Sequence, residues 1–179
     1  MTPVIALAGN PNVGKSTVFN ALTGLHQHTG NWSGKTVGTA EGHFRRGKKE
    51  VRLVDLPGAY SLTANSAEEE VTRDFLCFEH PDAAVVVCDA CCLERNLIFA
   101  IQVAQIIPKT MLCVNMMDEA RHRGIKIDLE ALSKETGLPA VGVSATRYEG
   151  LDELERQMIS LAEGRLHSVF VPVRYPKAV

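Results

Sequence analysis

Short apolar, β-branched runs alternate along this chain with stretches in which apolar residues recur every three or four positions. Residues 4–8 precede 15–23, 51–55 precede 67–79, 83–89 precede 93–107, 110–115 precede 128–136, and 140–144 precede 151–162. Strand-then-helix repetition of this kind predicts a largely parallel sheet covered by helices. Gly24 and Gly137 stand where helices end, and Pro108 follows the third helix. Leu93, Leu97, Ala100, Ile101 and Ala104 recur at helical spacing and are expected to face the core. One strand breaks the alternation. Residues 40–44 reach 51–55 only through the polar turn 45–49, which predicts a hairpin and so one antiparallel strand. The expected fold is α/β in three layers, with a mostly parallel six-stranded sheet carrying one antiparallel strand. Residues 24–39 form a long stretch rich in Gly, His and Thr with no apolar period, a composition typical of functional loops. After Gly164 the helical pattern stops, and 168–179 carries Val, Pro and Tyr without an evident partner.

Composition narrows the function. With 45% hydrophobic and 22% charged residues in a 179-residue chain, one ordinary globular domain is expected. The 19 Lys and Arg against 21 Asp and Glu argue against a general polyanion binder, since that affinity needs clustered basic charge. Arg45, Arg46, Lys48 and Lys49 do cluster, but at a hairpin tip, and are read as a solvated turn; no nucleic-acid partner is expected. No apolar run approaches the ~20 residues that cross a bilayer, and the first eight residues lack the pattern of a signal peptide. The five cysteines are odd in number and not spaced as a disulfide framework, which fits a reducing cytosolic setting. Cys88 and Cys91 are spaced as a CxxC beside Cys92, yet no second Cys/His pair follows at zinc-ligand spacing.

Four motifs carry chemistry, each at a strand end. Gly9, Asn10, Pro11, Asn12, Val13, Gly14, Lys15 and Ser16 follow an apolar strand and open a helix, the context of a phosphate-binding loop. Glycine lets backbone amides turn toward phosphates, and the helix N-terminus adds partial positive charge. Lys15 would reach the β- and γ-phosphates, Ser16 would ligate Mg²⁺, and Thr17 continues the candidate contact set. Asp55, Leu56, Pro57 and Gly58 end the neighbouring strand; Asp55 would hold a Mg²⁺-bound water and the Gly58 amide would sense a γ-phosphate. Asn115, Met116 and Asp118 leave a third strand. A carboxylate there accepts from guanine N1–H and the exocyclic amine, a pattern adenine lacks, so Asp118 selects guanine. Asn115 would tie the base loop to the phosphate loop. Ser144, Ala145 and Thr146 follow the last strand, where the Ala145 amide would meet guanine O6. A hydroxyl in the long loop, from Thr36, Thr29 or Thr39, would complete the Mg²⁺ shell when a γ-phosphate is present.

In these motifs the chain resembles the translation-factor-related P-loop GTPases, and within them the amino-terminal G domain of the FeoB family of ferrous iron transporters. The residues that carry this are Gly9 to Ser16, Gly30, Asn31, Trp32, Ser33 and Gly34 before Thr36, Asp55 to Leu62, Leu93 to Leu97, and Asn115 to Ala120; the Asn31-Trp32 segment and Leu93 to Leu97 are the narrower markers, and the resemblance makes Thr36 the switch threonine. The resemblance implies GTP hydrolysis to GDP and phosphate with Mg²⁺, on the cytoplasmic face of a bacterial inner membrane. It also implies continuation into a helical domain and a membrane permease, with a possible homo-oligomer of the full-length transporter. Residues 1–164 would be the G domain and 165–179 a linker toward that continuation.

Met116 stands where the broader GTPases often carry Lys, which implies weak nucleotide retention. Ala59 stands where Ras-like enzymes carry a water-orienting glutamine, so hydrolysis needs another route. In potassium-activated relatives an asparagine placed like Asn12 binds a monovalent cation with switch-loop carbonyls that map to Gly30 and Trp32, and this resemblance implies K⁺ assistance. Asn12, Lys15, Thr36 and Gly58 are the catalytic candidates. His26 and His28 are read as solvent-facing rather than as iron ligands, and Tyr60 as hinge packing. Two other readings share these motifs: a soluble GTPase of ribosome assembly or tRNA modification, and a slow nucleotide-gated binding module.

Overall fold

The computed structural model describes residues 2–24, 28–31 and 38–172. In chain order the elements are β1 (Val4–Gly9), α1 (Lys15–Thr23), β2 (His28–Asn31), β3 (Gly38–Arg46), β4 (Lys49–Asp55), α2 (Ala67–Phe78), β5 (Ala83–Asp89), α3 (Leu93–Ile106), β6 (Thr110–Asn115), α4 (Met117–His122), α5 (Leu129–Thr136), β7 (Ala140–Gly142) and α6 (Leu151–Ala162). The strands form one sheet in the order β2-β3-β4-β1-β5-β6-β7. β1 pairs in parallel with β4 and β5, and β5, β6 and β7 continue in parallel. β3 is antiparallel to both of its neighbours, so among the described strands it alone runs against the rest. The expected three-layer α/β fold is therefore present, and β2 adds a short edge strand to the six foreseen. Nothing in the side-chain pattern of 28–31 announces that strand; backbone pairing to 38–41 defines it.

Strand alternation builds two cores. Ile5 and Leu7 of β1, with Val85 and Val87 of β5, face one side, where Val18 and Phe19 of α1 and Leu154 and Met158 of α6 cover them. Ala6, Ala8, Ala84 and Val86 face the other side, against Phe75 and Leu76 of α2 and Phe99, Ala100 and Val103 of α3. The core-facing stripe of α3 is Asn96, Phe99, Ala100, Val103 and Ala104, with Leu93 and Leu97 partly covered. The expectation for Ile101 is corrected, because it is 39% exposed and shares the outer face with Ile98. The stripe follows the sheet rather than the most apolar side of the helix, and Asn96 enters it because its side-chain oxygen accepts from the Asp89 N–H at 2.7 Å.

Three local departures have direct causes. The hairpin is tighter than foreseen: Arg46 pairs with Lys49, and Gly47 at φ 61° supplies the left-handed turn. Arg45, Arg46 and Lys49 each find carboxylates, on Glu50, on Asp152 and Glu155, and on Glu163 respectively, so most of the basic cluster is paired within the molecule. After α6 the chain runs back along α5, with Val169 N–H donating to Gly137 O at 2.8 Å and Phe170 packed on the second core. A Cβ at Gly137 would meet the Phe170 backbone nitrogen at 2.8 Å, so glycine serves the close approach as well as the helix end.

The sheet order places β1 between strands reached by connections that leave in opposite directions. Such a switch point opens a crevice at the carboxyl ends of the strands, and Gly9, Asp55 and Asn115 are the last residues of β1, β4 and β6. Replacing buried Phe99 by Ala is expected to cost about 3–5 kcal/mol, whereas Ile101→Ala costs about 1 kcal/mol or less. Urea unfolding of the two variants checks the assignment of the α3 faces.

Candidate functional site

A cleft of about 730 Å³ opens at that crevice, lined by Asn10, Asn12, Gly14, Lys15, Ser16 and Thr17 on one wall and by Gly58, Tyr60, Asn65 and Glu69 on the other. The first wall is the loop between β1 and α1. Gly14 caps α1 at φ 77°, ψ 22° with no side-chain hydrogen bond, so the first-turn N–H groups are left for the cleft. Asn12 also takes a left-handed backbone, at φ 66°. A Cβ on Gly9 would lie 2.7 Å from Val87 O, which fixes glycine where β1 leaves the sheet. Asn10 is buried, and its amide oxygen has no hydrogen-bond partner among the described residues.

Lys15 is 9% exposed and its ammonium sits on Asp55 Oδ1. The Ser16 hydroxyl lies 3.4 Å from Asp55 Oδ2. Burial pushes the Asp55 carboxyl above its ordinary value, with the Lys15 charge and the Lys15 and Ser16 hydrogen bonds pulling part of the way back. A hydroxyl and a carboxylate at the mouth of an anion-binding loop make an all-oxygen donor set, which suits Mg²⁺.

Asn115 ties the loop after β1 to the loop after β7. Its Nδ2 donates to Val13 O at 3.1 Å, and its Oδ1 accepts from the Ala145 N–H at 3.2 Å. This is the tie expected from sequence, with an addition: the Ala145 amide, foreseen as a donor to guanine O6, is bonded to Asn115. A Cβ on Gly14 would fall on the Asn115 amide nitrogen, and the Met116 methyl carbon lies 3.3 Å from the same point. Met116 caps α4 with a left-handed backbone, at φ 62°. The Asp118 N–H donates to Ser144 Oγ at 3.0 Å, and Arg147 Nε lies 3.0 Å from Asp118 Oδ2. Desolvation pushes the Asp118 carboxyl up, but the Glu119 and Asp118 N–H groups, the Ser144 hydroxyl and the Arg147 charge outweigh it and hold it below its ordinary value. Ser144 is buried and Thr146 exposed.

Thr36 and Trp32 lie outside the described residues, as does His26. Gly30 is placed in β2, paired with Thr39. Thr39 itself is buried in β3.

Sequence reasoning missed the clamp on the loop after Gly58. Glu69 is 7% exposed; its Oε1 accepts from the Tyr60 and Ser61 N–H groups at 3.3 and 3.1 Å, and its Oε2 accepts from Asn65 N–H at 3.0 Å. Thr72 donates to Pro57 O at 2.9 Å, the Ala59 N–H donates to Gly9 O at 3.1 Å, and the Leu62 N–H donates to Gln102 Oε1 at 2.9 Å. The available signal was Ser66 three residues before Glu69, a capping-box spacing. Ser66 does cap α2, accepting from Glu69 N–H at 3.2 Å, while the Glu69 carboxylate turns to the loop instead of back to the cap.

The cysteines are all free. Burial pushes the Cys88 thiol up to about 12, and Cys113 also upward, so neither is a poised thiolate. Among the described residues, no three His, Cys, Asp or Glu side chains group as a metal centre.

A family model described as "Ferrous iron transport protein B" (FeoB_N) matches residues 3–158. The Fe(2+) transport protein A/Fe(2+) transporter FeoB fusion protein of Porphyromonas gingivalis is 42% identical over 171 residues, 95% of this chain and 20% of its own length. The chain thus spans about a fifth of that curated relative. The G domain of the T. maritima FeoB iron transporter superposes with TM-score 0.84 at 38% identity, covering 90% of this chain and 99% of that one. The cytosolic domain of T. maritima FeoB in a GDP form gives TM-score 0.92 at 36% identity, covering 99% of this chain and 70% of that one.

The buried pair makes a pH-dependent prediction. In Lys15→Met, Asp55 keeps its burial and loses its cation, so its folded pKa rises further. A carboxyl raised above its unfolded value costs stability when ionised, and the cost disappears as pH falls below the folded pKa. The variant is expected to lose about 3 kcal/mol near pH 7, with the deficit narrowing toward the ordinary aspartate range. Thermal melts of both proteins across that range check the sign.

Proposed function

The chain belongs to the FeoB_N family of ferrous iron transport protein B, and on that premise we propose that it is the GTP-hydrolysing switch domain of a bacterial ferrous iron transporter. The observation that carries this reading is the Asn115 bridge between Val13 and Ala145. It sets an anion-binding helix start at a fixed distance from a carboxylate that accepts donors, which is the layout a guanine nucleotide requires. Family membership supports this reading over that of a soluble ribosome-assembly or tRNA-modification GTPase.

GTP would lie with its phosphates on the amides from Asn12 to Thr17 and its base against Asp118, Met116, Ser144, Ala145 and Thr146. The Lys15 ammonium, now on Asp55, would transfer to the β- and γ-phosphates, releasing the carboxylate. Ser16, Thr36 and Asp55 would hold Mg²⁺, whose charge offsets that on the β- and γ-oxygens when it is bound. Asn12, with the carbonyls of Gly30 and Trp32, would hold K⁺, which supplies the positive charge that an arginine finger gives in other GTPases. Water attacks the γ-phosphorus in line, the bond to the β,γ-bridging oxygen breaks, and GDP and phosphate result. Ala59 brings only a methyl group, so orientation of that water falls to the backbone of the loop from Gly58 onward. Loops 25–40 and 56–66 would change order as the γ-phosphate comes and goes.

The full-length protein would continue through 165–179 into a helical domain and a permease, with this domain on the cytoplasmic face of the membrane. Among the described residues no helix is long and apolar enough to cross a membrane.

GTP turnover is expected to be faster in KCl than in NaCl at equal ionic strength. Asn12→Ala should lose that difference while still binding GDP; a mutant with the native potassium response would remove Asn12 from the mechanism. Asp118→Ala is expected to weaken GDP binding by about a hundredfold, the loss of a charge-assisted bidentate contact, with no change toward ADP. Titration calorimetry with both nucleotides measures it.

A further inference from the structure

The loop that would sense the γ-phosphate is held from outside as well as from α2. Helix α3 contributes two side chains seven residues apart, hence on one helical face. Gln102 accepts the Leu62 N–H at 2.9 Å, and the Arg95 guanidinium lies 4.7 Å from the centroid of the Tyr60 ring. Tyr60 lines the cleft and is 48% exposed. Arg121, Arg123, Arg147 and Arg156 each pair with a carboxylate. Among the described residues no carboxylate pairs with Arg95, so its charge is committed to the face of the ring.

We propose that Arg95 is a positioning residue for hydrolysis, which fixes the loop from Gly58 to Leu62 by stacking on Tyr60. With Ala59 unable to orient water through its side chain, the backbone of that loop must be ordered before the reaction, and each anchor removes part of that ordering cost from the barrier. Glu69 and Gln102 hold N–H groups of the loop, whereas Arg95 holds a side chain at the cleft wall. A half-exposed cation–π contact is weak, so Arg95 adds to the hold of Glu69 and Gln102 rather than replacing it. The rate part of this inference rests on the proposed GTPase function.

The test pairs hydrogen exchange of the Tyr60, Ser61 and Leu62 amides in the nucleotide-free chain with GTP turnover and GDP affinity. Arg95→Ala should raise exchange and lower turnover by about two- to fivefold, with GDP affinity inside twofold. Arg95→Lys, which keeps a cation, should recover part of both. Tyr60→Phe keeps the ring and should keep the exchange protection, Tyr60→Leu should match Arg95→Ala, and the double variant Arg95→Ala/Tyr60→Leu should lose nothing more. Native exchange in Arg95→Ala, equal loss in Tyr60→Phe and Tyr60→Leu, or additive losses in the double variant would each overturn the proposal. If the native chain hydrolyses no GTP, the functional reading fails, and the exchange data still decide whether Arg95 holds the loop.

Discussion

The site depends on one carboxamide seated where a side chain is missing. Asn115 bonds the loop after β1 through Val13 O and the loop after β7 through the Ala145 N–H, and it fits only because Gly14 has no Cβ to occupy its place. Three strand ends are thereby joined by a rigid, buried group. A buried amide that satisfies both its donor and its acceptor is worth more than its pairwise bonds, because leaving either one unpaired would carry the full desolvation penalty. Gly14 meets two demands at once, since its left-handed backbone also starts α1 and leaves the helix N–H groups facing the cleft.

Around that joint the charges are arranged in unlike environments. Asp55 is mostly covered, its carboxyl pushed up by desolvation, and it is compensated by a lysine that other anions could claim. Asp118 is held in its ionised form by N–H donors and Arg147. The first carboxylate is thus suited to changing partners and the second to keeping its charge in place, a difference of environment between residues of one type. Asn10, with a buried oxygen lacking a partner among the described residues, is the remaining unsatisfied acceptor on the phosphate wall.

The opposite wall is built on a different principle. Its loop has little regular structure, and it is positioned by side chains that reach its backbone: Glu69 to three N–H groups, Thr72 to a carbonyl, Gln102 to a further N–H. Such a loop can be ordered without being packed into a core, so it is held by a few hydrogen bonds that can be exchanged. The anchors come from α2 and α3, so any shift of those helices reaches the cleft directly.

The alternation of apolar periods determined the parallel sheet and its reversed strand, since strand and helix periods are local properties of the chain. The placement of the glycine-rich loop, Asp55 and Asn115 at strand ends, and the tie from Asn115 to the loop after β1, were equally legible, because the motifs follow directly on apolar strand runs. Tertiary structure alone decided which side of α3 faces in, leaving Ile101 outside and Asn96 inside. It also turned Glu69 from a helix-capping residue into a loop clamp, added β2 at the sheet edge, and gave residues 168–170 a partner beside Gly137. Each of these depends on what lies across space from a residue, and sequence spacing carries no record of that.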